Sequence, residues 1–68
     1  MDRNQWIDLT MRAAKSIAEN ANDLRATKAR ILVQSMEGTL SAKIPLTAKI
    51  INAWAKEAND LNIRVGII

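Results

Sequence analysis

Arg30-Ile31-Leu32-Val33-Gln34-Ser35-Met36-Glu37-Gly38-Thr39-Leu40-Ser41-Ala42-Lys43-Ile44 is the stretch on which the fold turns. Two readings compete for it. As strands, residues 30–35 form a short apolar run of fair β propensity, and Glu37-Gly38 supplies a turn. Residues 39–44 then alternate polar and apolar with period two, as a half-buried strand does. As a helix, the stretch extends back to Leu24, takes Asp23 as its cap and stops with Gly38 at C′. Ala26, Ala29, Arg30, Leu32, Met36 and Glu37 are good helix formers. On a helical wheel, however, Leu24 and Ile31 point away from Ala29 and Val33, with Arg25 and Lys28 between, so the amphipathicity is poor. The hairpin is therefore the preferred reading.

The flanking segments are clearer. Asp2 or Asn4 can cap a first helix over 4–24, and Asp2 with Gln5 has capping-box spacing. Trp6, Ile7, Leu9, Met11, Ala13, Ala14, Ile17, Ala18, Ala21 and Leu24 share one wide arc of that helix, into which only Thr10 and Asn20 intrude. A second helix is expected over 45–61, with Pro45 in its first turn, where a missing N–H costs no helical bond. Its apolar arc holds Leu46, Ile50, Ile51, Ala53, Trp54, Ala55, Ala58 and Leu61, and Glu57 is the one charge close to that arc. The tail Ile63-Arg64-Val65-Gly66-Ile67-Ile68 reads as a strand. Ala21-Asn22-Asp23-Leu24 recurs as Ala58-Asn59-Asp60-Leu61, each copy at an expected helix end; four common residues do not establish a duplication.

The expected fold class is thus α+β: two amphipathic helices packed on a small sheet, in the order helix–strand–strand–helix–strand. The alternative is an all-α three-helix array with an extended C-terminal tail. Residues 1–68 form a single small domain in either case.

Composition narrows the chemistry. The chain has no Cys, His, Tyr or Phe, which removes disulfide frameworks, thiolate nucleophiles, Cys/His zinc sites and every His-based triad. Two glycines cannot build a P-loop or a dinucleotide fingerprint. Ser41 and Lys43 match no nucleophile pattern. Glu57 and Asp60 place two carboxylates on one helical side, a spacing common on solvated helices. No enzymatic activity, catalytic residue, metal or cofactor is expected. The start of the chain has no apolar secretory region, and no apolar run exceeds three residues, so a cytoplasmic location without membrane insertion is expected.

The net charge of +3 is uneven. Residues 1–23 carry three cations against four acids, residues 24–49 carry five against one, and residues 50–68 carry two against two. Arg25, Lys28, Arg30 and Lys43 would flank the hairpin and form a candidate phosphate-binding surface. No exposed aromatic platform accompanies them, because Trp6 and Trp54 both lie on apolar helix faces.

Association with protein has the stronger physical case. A chain this short buries only about 60% of its unfolded surface, and its own core adds roughly 3–5 kcal/mol. With 49% apolar residues and no disulfide, contact with another chain is the remaining stabiliser. The expectation is a non-enzymatic interaction or assembly module, acting as a homo-oligomer or by docking on a partner protein. Its expected surface is Ile63, Val65, Ile67 and Ile68, with Trp6 at the rim. A small nucleic-acid binder is the alternative. A mobile-element accessory protein that inhibits a host enzyme also fits the size, though no residue argues for it.

Overall fold

The computed structural model describes residues 2–64. Its elements are three helices, α1 (Arg3–Asn20), α2 (Leu24–Ser41) and α3 (Ala48–Asp60), and no strand occurs among the described residues. The α+β expectation is therefore corrected: the architecture is the all-α alternative. The expected hairpin is one continuous helix, Ile63 and Arg64 are not in a strand, and residues 65–68 lie outside the described residues.

Each helix begins on a side-chain cap. Asp2 and Gln5 form the capping box: Asp2 Oδ1 accepts from the Gln5 amide at 2.8 Å, and Gln5 Oε1 accepts from the Asp2 amide at 3.2 Å. Asp23 accepts from the Arg25 amide at 2.9 Å and starts α2. Thr47 accepts from the Ile50 amide at 3.3 Å and starts α3, so Pro45 precedes the helix instead of occupying its first turn.

The helix ends explain where the hairpin reading failed. Gly38 does not stop α2; the helix runs on to Ser41. The stop is a Schellman motif, in which the Ile44 amide donates to the Thr39 carbonyl and the Lys43 amide donates to the Leu40 carbonyl. Lys43 holds the left-handed position at φ 55° that glycine usually occupies. The polar–apolar alternation of 39–44 is thus a final helical turn followed by its cap. α3 ends in the same way, with Asn62 left-handed at φ 61° and the Ile63 amide donating to the Ala58 carbonyl.

Residues 21–23 turn the chain back, and α1 packs against α2 along the principal interface. The core contains Trp6, Ile7 and Ala14 from α1, Ala29, Leu32 and Met36 from α2, and Trp54, Ala58 and Leu61 from the last segment. α2 is the middle helix. Ala29 and Met36 lie on its buried arc, and Glu37 on one flank reaches Lys15 of α1 at 3.3 Å. On the other flank, Ser35 Oγ accepts from Trp54 Nε1 of α3 at 3.4 Å.

Two arginines fasten the non-helical ends. Arg3 Nη1 donates to the Leu46 carbonyl at 3.2 Å, tying the start of α1 to the α2–α3 connection. Arg25 Nη2 donates to the Leu61 carbonyl at 2.9 Å, tying the start of α2 to the end of α3. The second contact also sets a cation beside the negative end of the α3 dipole. Within the core, Thr10 is fully buried, and its hydroxyl has no hydrogen-bond partner among the described residues.

Candidate functional site

The exposed side of α2 carries the surface least explained by folding. Leu24 and Ile31 stand one heptad apart and are 67% and 56% exposed. Seven residues make two helical turns within about 20°, so the two side chains form one stripe about 10 Å long. Both were expected to point away from the rest of the apolar set if this region were helical, and they do. Leu9, Leu40 and Ile44 are the other large aliphatic residues exposed among those described.

Ile31 is also the link between this stripe and a cleft. α2 contributes Lys28 and Ile31 to one wall, and α3 with its cap contributes Glu57, Asp60 and Leu61 to the other. The cleft encloses about 250 Å³. Packing α2 against α3 brings together Lys28 and the Glu57–Asp60 pair, which are far apart in sequence. The ion pairs among the described residues are Asp8–Arg12 at 3.2 Å and Lys15–Glu37 at 3.3 Å, so Lys28, Glu57 and Asp60 belong to neither. One wall therefore offers a cation beside an isoleucine, and the other two anions beside a leucine.

The four basic residues of the phosphate reading do not converge. Arg25 is engaged with the Leu61 carbonyl, and Lys28 lines the cleft opposite two carboxylates. Arg30 is exposed on α2, separated from Lys28 by two residues, or about 200° of helix. Lys43 sits in the cap at the opposite end of α2, fifteen residues and about 22 Å of helix rise from Lys28. The hairpin that was to align Arg30 with Lys43 on one face does not exist.

The expected association residues divide. Trp6 is 6% exposed and belongs to the core, so it does not form an exposed rim. Trp54, at 3%, is a core residue as well. Ile63 packs half-buried against the core, while Val65, Ile67 and Ile68 lie outside the described residues. No group of three or more metal-binding side chains occurs among the described residues, and no helix there is long and apolar enough to cross a membrane. No family model matches the chain, and no curated protein or solved structure shows significant similarity to it.

Proposed function

We propose that the chain is a non-enzymatic protein-association module, acting as a homo-oligomer or by docking on another protein. The carrying observation is the Leu24–Ile31 stripe, two large aliphatic side chains more than half exposed on the helix that forms the centre of the fold. α1 and α3 pack on the face of α2 that carries Ala29, Leu32 and Met36, and the stripe has no cover within residues 2–64. Burying what remains exposed of both side chains would contribute about 1–2 kcal/mol each, a large fraction of the net stability expected of the domain. Contact through α2 would also consolidate the helix against which the others pack.

The test is a Leu24→Ser/Ile31→Ser double variant. The native chain is expected to sediment above its monomer mass or to retain a stoichiometric protein partner. The variant, with unchanged helicity, is expected to do neither. A native chain that stays monomeric and partnerless, or a variant that associates as well as the native chain, overturns the reading.

A further inference from the structure

We infer that the partner on this surface is a second copy of the chain, paired about a two-fold axis that runs along the α2–α3 cleft. The inference rests on the association reading above and specifies its occupant. Symmetric pairing demands a patch that complements itself. The cleft meets that demand through the distribution of its charges: Lys28 stands on the α2 wall, and Glu57 and Asp60 stand on the α3 wall. A two-fold axis along the cleft, lying in the plane of contact, exchanges the walls. It sets Lys28 of each copy over Glu57 and Asp60 of the other, while each Ile31 is carried onto the facing α3 wall. An axis across the cleft would instead oppose acid to acid and lysine to lysine, and like charges placed together cost several kcal/mol.

Three observations favour a second copy over a foreign protein. Both signs of charge are present and segregated, one cation on one wall and two acids on the other, as self-pairing needs and a one-signed partner does not. None of the three groups is used in an ion pair among the described residues. The aliphatic stripe adjoins the same wall, through Ile31, so charge and apolar contact are continuous. A stable interface takes about 800 Å² from each partner. That is roughly one sixth of the 4771 Å² of surface on the described chain, so the contact would include the cleft, the stripe and their margins.

The charge arrangement supplies its own test. Lys28→Glu alone would oppose three acids at each contact, and Glu57→Lys/Asp60→Lys alone would oppose three cations. Each is expected to raise the dissociation constant about tenfold or more, as read by sedimentation equilibrium between about 1 µM and 1 mM. Mixed in equal amounts, the two proteins should form a heterodimer at about native affinity, because both contacts then pair opposite charges. Lys28→Gln should weaken pairing less than Lys28→Glu, and it retains a neutral side chain should the reversal disturb the fold. A native chain that is monomeric throughout overturns self-pairing. If such a monomer still holds a stoichiometric partner that Leu24→Ser/Ile31→Ser loses, the association reading survives without this inference. A native dimer indifferent to the charge reversals, or a mixture that fails to recover pairing, overturns the exchange of walls.

Discussion

Replacing Thr10 with Val should make the protein more stable, against the usual direction of a core substitution. Thr10 lies on the buried face of α1 beside Trp6, Ile7 and Ala14, has no exposed surface, and keeps a hydroxyl without a partner among the described residues. Leaving a buried hydroxyl unpaired costs about 1–3 kcal/mol. Valine has nearly the same shape, places a methyl group where the hydroxyl was, and differs little from threonine in helix propensity. The exchange should therefore contribute about 1–2 kcal/mol. For a domain of this size, each kcal/mol moves the melting temperature by about 4–8 °C. Thermal and urea unfolding followed by far-ultraviolet circular dichroism, at one fixed protein concentration so that any association is held constant, would measure the gain. Thr10→Ser is the control: it keeps the hydroxyl, loses the methyl, and should cost about 1 kcal/mol. A Val variant that melts at or below the native temperature would refute the reasoning, since it would show that the hydroxyl has a partner worth more than the methyl.

Other expectations follow from the helix ends and the α2–α3 contact. Lys43→Gly should stabilise by about 0.5–1 kcal/mol, because relief of the left-handed strain at φ 55° exceeds the added freedom of the unfolded chain; a loss in urea unfolding would show that the lysine side chain is needed at the cap. Gly38→Ala should also stabilise, by about 0.5–1 kcal/mol, since Gly38 is inside α2 and an added Cβ meets nothing within 4 Å; the same unfolding experiment checks it. Ser35→Ala should cost about 1 kcal/mol by leaving the Trp54 indole N–H unpaired, and Trp54→Phe in the Ser35→Ala background should cost less than in the native chain, as a double-mutant cycle would measure. Arg25→Met should lower stability by about 1 kcal/mol through loss of its bond to the Leu61 carbonyl, with the first effect on amide exchange in the last turn of α3.

The parts of the fold that were legible in sequence are those governed by local rules. Asp2 with Gln5, and the wide apolar arc of α1, specify a helix from neighbours three and four residues apart, and the structure contains both. The helix nevertheless ends at Asn20, because Asp23 caps the next helix. α2 was misread because a middle helix obeys two neighbours. Ser35 and Thr39 sit on its α3 flank, where a simple apolar arc would not place them, and Ser35 is there to meet an indole. Leu24 and Ile31 face outward. Both departures lower the amphipathicity that sequence reading relies on, and the short apolar run 31–33 then passes for a strand. The same signal marked the candidate surface: the outward Leu24 and Ile31 that counted against a helix are the residues left uncovered by one. The cleft was not legible. Lys28 meets Glu57 and Asp60 only through the packing of α2 on α3, although the position of Glu57 beside an apolar arc was a local hint.

The two arginine fastenings have a consequence for how the molecule comes apart. α3 is joined to the rest by its core residues Trp54, Ala58 and Leu61, a tethered connection at Leu46, a weak indole bond at Ser35 and a carbonyl held at Leu61, while the paired first two helices share a longer seam. The expected first partial opening is then an undocking of the third helix, which would expose Trp54, Ala58 and Leu61 and would show as faster amide exchange in α3 than in the first two helices. Arg3 would latch the leading end of that helix and Arg25 its trailing end, so releasing either would loosen the end it holds.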